Sequence, residues 1–246
     1  MTSWYVGIEG APLDIEQLSV RFPNAEFKVK TVDGMPHLES SNFENQTEAR
    51  HVRDIAEELL NSLNLALAST DPDFTPLRTA NVVADIDGKK HRTMFAEAGH
   101  YPFRIRMSVT GTTVRQADGT ISSSSPPGPT LPEMIARLVR DDVNIAAAAL
   151  ALTTRPTTWG NLFIVYETAA RLISTSPYDP KASDYAQLWD NGWISEMDAD
   201  RFRNWAHFNR HGYPRELPRV KEMELAEATQ LIQRLFHFLI EHIHSD

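Results

Sequence analysis

The chain reads as an α+β protein: a small N-terminal sheet with one covering helix, followed by an antiparallel all-α helical bundle. Three observations predict this. Period-2 alternation with Asp-Gly turns recurs in the first half, and helical periodicity runs nearly unbroken from Thr130 onward. Between them the stretch from Gln116 to Pro129 (QADGTISSSSPPGP) has no periodicity at all. The expected organisation is an α+β domain over 1–118, a Ser/Pro-rich linker over 119–130 and a helical bundle over 131–246.

Each element has its own signal. Trp4–Ile8 is a short apolar run closed by Gly10, and Leu13–Phe22 fits a short helix. Glu26–Val32 sets Phe27, Val29 and Thr31 against Lys28 and Lys30, the pattern of a half-buried strand, and Asp33-Gly34 turns it into Pro36–Ser40. Thr47 is the expected N-cap of a helix whose Val52, Ile55, Ala56, Leu59, Leu63 and Leu67 share one face. Thr79–Asp85 and Arg92–Ala98 flank Asp87-Gly88 as a second hairpin, and Phe103–Thr110 alternates as a further strand. Arg104 and Arg106 with Lys89, Lys90 and Arg92 make either a second basic surface or solvated strand faces.

In the second half, Thr130 as N-cap and Pro132 open a helix expected to reach Leu152. Its apolar stripe is Ile135, Leu138, Val139, Ile145, Ala146, Ala149 and Leu150, with Asp142 in the middle. A second helix follows Thr158 with Trp159, Leu162, Phe163, Tyr166, Ala170 and Ile173 on one side. Ser183–Trp193 is a short helix ended at Asn191-Gly192, and Ser195–His211 is stopped by Gly212 and Pro214. Lys221–His244 is apolar around most of its circumference, which places it centrally in the bundle or in a homodimer interface.

Composition narrows the function. Hydrophobic content of 41% with 23% charged residues describes a folded globular protein. A net charge of −9 argues against a protein that coats nucleic acid over its whole surface. There is no cysteine, hence no thiolate metal site and no thiol nucleophile. No apolar run approaches the roughly 18 residues of a membrane span, and Met1-Thr2-Ser3-Trp4 does not begin a secretory signal, so no membrane and a cytoplasmic location are expected.

The chemistry concentrates in Arg201–Tyr213. On a helical wheel with Arg203 at the origin, His207 falls at about 40°, His211 at about 80° and Arg210 at about 340°, whereas Phe202, Trp205 and Phe208 lie opposite. Of the 12 Lys and Arg residues from 121 onward, six lie between Arg201 and Lys221, opposed there only by Glu216. A local basic patch in an acidic chain suggests a discrete anion site, against the alternative of a solvated helix end. Asp142, in an apolar stripe, needs a partner and would find one in Arg203 or His207. His207 and His211 have the four-residue spacing of metal ligands, yet two neighbouring arginines repel a divalent cation, so neither metal nor cofactor is expected.

These residue types suit acid–base phosphate chemistry. An imidazole moves protons near neutrality, guanidinium neutralises phosphate, and RNA supplies its own nucleophile in the 2′-hydroxyl. His207 would transfer the proton, Arg201 or Arg203 would hold phosphate, and Asp142 would orient one of them. Arg210, His211, Arg215 and Asn204 would complete the contact with RNA.

A bundle of four or more helices with an Arg and a His separated by four to six residues late in the chain resembles the HEPN superfamily; here Arg201 and His207 have five residues between them. The resemblance covers about 130–246. It implies a metal-independent ribonuclease working as a homodimer, with the α+β half as a sensor or specificity domain in a defence or toxin–antitoxin setting. The family's arginine is usually followed by a polar residue, whereas Phe202 follows Arg201. The alternative is therefore a non-catalytic module that binds nucleotide, RNA or protein.

Overall fold

A computed structural model describes residues 2–95, 128–174, 182–211 and 218–245, without the side chains of 182–184 and 211. The N-terminal half contains β1 (Thr2–Glu9), α1 (Pro12–Arg21), β2 (Phe27–Val32), β3 (Met35–Ser40), α2 (Ala49–Thr70), β4 (Arg78–Ile86) and β5 (Lys89–Met94). The strands form one antiparallel sheet in the order β2-β3-β1-β4-β5.

Both hairpins turn where the Asp-Gly pairs predict. Asp33 and Gly34 have φ of 52° and 79°, and Asp87 and Gly88 have 50° and 81°. Two consecutive left-handed residues match the twist of the flanking strands, which is why this dipeptide makes tight hairpins. The resulting register aligns Val6 with Leu38 on one side and Val82 on the other, and all three are buried. On α2, Val52, Ala56, Leu60 and Leu63 are buried, while Thr79 of β4 donates to Glu57 Oε1 at 3.1 Å. At Gly7 the β1–β4 register shifts, and a Cβ there would lie 2.1 Å from Asn81 Oδ1. A side chain there would force the buried Asn81 amide to move.

Some boundaries differ from expectation. Helix α2 begins at Ala49, two residues after Thr47, and β5 begins at Lys89 directly after its turn. Lys90 and Arg92 do not form an open basic surface, because they bridge to Asp33 at 2.7 and 3.1 Å and pull its carboxyl below the usual range. The end of the expected Arg92–Ala98 strand, the Phe103–Thr110 strand with Arg104 and Arg106, and most of the linker lie outside the described residues.

The C-terminal helices are α3 (Leu131–Asp141), α4 (Val143–Thr153), α5 (Trp159–Ile173), α6 (Ala182–Asp190), α7 (Glu196–His211) and α8 (Leu225–Ser245). Thr130 opens α3 through a reciprocal cap: Glu133 N donates to the Thr130 hydroxyl, and Thr130 N donates to Glu133 Oε2 at 2.8 Å. Thr158 and Ser195 cap α5 and α7 by accepting from Asn161 N and Asp198 N. Helix α5 is the hub, touching α4, α6, α7 and α8.

The long helix expected from Thr130 to Leu152 is two helices, broken at Asp142. That residue is extended, with φ −131° and ψ 116°, and its Oδ1 accepts from Asn144 N at 2.7 Å, Asn144 Nδ2 at 3.1 Å and Ile145 N at 3.4 Å. Short carboxylates compete with the helix backbone and are better at its start than in its interior. The break also resets the helical face, leaving Leu150 58% exposed although the unbroken register would bury it.

The chain divides into two compact units, Met1–Asn64 with Asp73–Glu133 and Leu65–Pro72 with Met134–Asp246. The last turns of α2 thus pack with the helices, where Ser69 O meets His237 Nε2 of α8 at 3.4 Å. Burial lowers the His237 pKa from its ordinary 6.5, against smaller upward pulls from Ser69 and Glu241. Below pH 6.5 the unfolded chain therefore binds a proton that the fold resists, so stability is full above that pH and declines beneath it. His237→Gln should lose less melting temperature than the wild type between pH 7.5 and pH 5; equal losses would exclude His237 as the source.

Candidate nucleic-acid interface

Helix α7 sorts its residues by depth. Ala199, Phe202, Trp205 and Ala206 are buried, and Arg203, Asn204, His207 and Arg210 are exposed on the other side. Phe202 is fully enclosed by rings of α5: its centroid lies 6.1 Å from Trp159, 6.4 Å from Phe163 and 5.2 Å from Tyr166.

Arg201 falls on the inner side. Its Nη1 donates to Glu227 Oε1 at 2.9 Å and Asp198 Oδ1 at 3.3 Å. Its Nη2 donates to Glu227 Oε2 at 3.1 Å and Glu222 O at 2.6 Å, and its Nε to Lys221 O at 3.4 Å. Hydrogen bonding to Glu227 raises its pKa further. Every nitrogen of the guanidinium is engaged within the protein, so the expected phosphate contact through Arg201 does not form. Six residues of helix also rotate His207 about 120° away from Arg201. The Arg–His pair behind the HEPN resemblance therefore does not converge on α7.

Asp142 is a second correction. All of its hydrogen bonds among the described residues go to the start of α4, so it neither orients His207 nor holds Arg203. Asn204 folds back on the preceding turn, its Nδ2 donating to Asp200 O at 2.8 Å and Asp200 Oδ1 at 3.0 Å. Its Nδ2 is thus engaged within α7. The His211 side chain and all of Arg215 lie outside the described residues.

Arg203, His207 and Arg210 remain together on the outer face. The two arginines differ from Arg201 in having no carboxylate within ion-pair distance among the described residues. Instead Arg203 Cζ lies 5.2 Å from the centroid of Tyr185 on α6, and Arg210 Cζ lies 4.0 Å from that of Phe163 on α5. Such seating restrains a long side chain while leaving its in-plane N–H donors available to an anion. The aromatic floor was not legible as part of a site. Phe163 and Tyr166 read as core of α5, and Tyr185 carried no signal at all.

Beneath Tyr185, at 5.5 Å and an interplanar angle of 16°, lies Tyr166. Its hydroxyl is buried and has no hydrogen-bond partner among the described residues. Burial pushes the phenol well above its ordinary pKa, Arg203 opposing and Tyr185 and Asp200 adding to the rise. An unsatisfied buried hydroxyl contributes nothing to stability, and a phenylalanine ring fills the same space. Tyr166→Phe should therefore melt at or above the wild-type temperature; a clear drop in thermal denaturation would mean the hydroxyl has a partner after all.

Among the described residues no three His, Asp or Glu side chains are placed to hold a metal ion, and no helix is long and apolar enough to cross a membrane. No protein-family model, no curated protein and no solved structure matches the chain.

Proposed function

We propose that the helical unit binds RNA or a related phosphate-bearing ligand on the outer face of α7, with Arg203 and Arg210 as the phosphate contacts and His207 between them. The observation that carries this is the pair of exposed guanidiniums, each seated on an aromatic ring and neither paired with a carboxylate among the described residues. The net charge of −9 favours recognition at a discrete site over non-specific coating.

Fluorescence anisotropy with a labelled RNA oligonucleotide in EDTA tests it. Wild-type affinity should fall linearly with salt on logarithmic axes. Arg203→Ala with Arg210→Ala should weaken binding by roughly tenfold or more and flatten the slope by about 1.4, the share of two phosphate contacts on a single strand. The melting temperature should stay near wild type. Absence of salt-dependent binding by the wild type would remove the proposal. Metal-independent cleavage is the second reading, favoured by the exposed position of His207 between two cations. It requires that the same RNA be cut in EDTA by the wild type and left intact by His207→Ala.

A further inference from the structure

We infer that the α7 face reads nucleobases by stacking as well as phosphates by charge, and that its ligand is a single-stranded polynucleotide with its bases splayed apart. This rests on the phosphate-binding reading above and narrows it to a ligand class.

Two columns of planar groups carry the inference. In the first, Tyr166 stacks on Tyr185 at 5.5 Å and 16°, and Arg203 Cζ lies 5.2 Å from the Tyr185 centroid. In the second, Phe202 stacks on Phe163 at 6.4 Å and 19°, and Arg210 Cζ lies 4.0 Å from the Phe163 centroid. Tyr166 and Phe202 are fully buried and pack on each other at 5.2 Å, so both columns stand on one footing in the core. Arg203 and Arg210 are exposed beside these rings, and nucleobases stack on aromatic and guanidinium planes irrespective of their sequence. Charge alone does not need the rings; a solvated arginine attracts phosphate equally well.

The spacing selects the strand. Seven residues of α7 separate the two arginines by about 10.5 Å along the helix axis. That is about three times the 3.4 Å rise between neighbouring bases of a duplex strand. Duplex bases also have both faces covered by their neighbours. An unpaired strand whose bases are spread apart can cap both columns while its backbone passes His207. Asp200, one turn before Arg203, accepts from Asn204 and repels phosphate at that end, which sets the backbone toward His207 and Arg210.

The test compares a labelled RNA strand, the same strand annealed to its complement, and linear polyphosphate as a competitor with charge but no bases. The single strand should bind at least roughly tenfold tighter than the duplex, and polyphosphate should compete poorly at equal charge. Tyr185→Leu and Phe163→Leu should each cut single-strand affinity by roughly fivefold or more, and Tyr185→Phe, which keeps the ring, should restore it. An all-DNA strand separates recognition of bases alone, shown by equal binding, from added use of the ribose hydroxyl; both results agree with stacking. Equal affinity for single strand and duplex, or equal competition by polyphosphate, would overturn the inference and leave phosphate binding intact. Failure of every nucleic acid to bind would overturn both.

Discussion

Arg201→Ala is expected to destabilise the helical unit by about 2–4 kcal/mol. Truncation removes a guanidinium that is 7% exposed and abandons the Glu222 carbonyl and the Glu227 carboxylate, while the Lys221 carbonyl keeps Trp205 Nε1 at 3.0 Å. Loss of one partner of a fully buried ion pair costs about 3–5 kcal/mol. The Glu227 side chain is 48% exposed, so water recovers part of that loss and the lower range applies. Arg201→Lys should recover less than half, because an ammonium cannot span both Glu227 oxygens and two carbonyls at once. Urea denaturation with an unchanged slope and a lower midpoint reads the effect. Arg203→Ala, two residues along the same helix, should lie within about 0.5 kcal/mol of wild type, as exposed sites do. Similar losses from both substitutions would show that the inner and outer faces of α7 are not energetically distinct.

That contrast separates what could be read in the sequence from what could not. Local rules placed both Asp-Gly hairpins, the Thr130 cap, the helices after Thr158 and from Ser195, and the two-faced character of α7, since each depends on residues a few positions apart. The Asp142 break escaped because helical periodicity on either side nearly continues across it, and only the cap geometry distinguishes one helix from two. The sorting of the arginines escaped for a different reason. Arg201 and Arg203 are both cations on the same helix, and burial of the first depends on Glu227, 26 residues away. The seating of Arg203 on Tyr185 likewise depends on the packing of α6 beside α7. Spacing along one helix ranks its faces but does not reveal what a neighbouring element brings to them.

Phe202→Ala is expected to have the largest effect of any single substitution in the helical unit, about 3–5 kcal/mol. The ring is fully buried, touches Trp159, Phe163 and Tyr166, and has no polar atom whose removal would offset the loss. The cavity opens where the two aromatic columns meet, so the damage is not confined to stability. Phe163 loses its backing and Tyr166 a neighbour, and the guanidiniums of Arg210 and Arg203 lose the restraint that holds them outward. Phe202→Leu, which retains most of the volume, should cost about 1–1.5 kcal/mol and leave the protein folded at room temperature. Its RNA affinity should nevertheless fall severalfold, although the side chain at 202 reaches no solvent. A leucine variant that is destabilised yet binds RNA as the wild type does would separate the core from the outer face, and would show that the arginines act as solvated charges without any help from the rings beneath them.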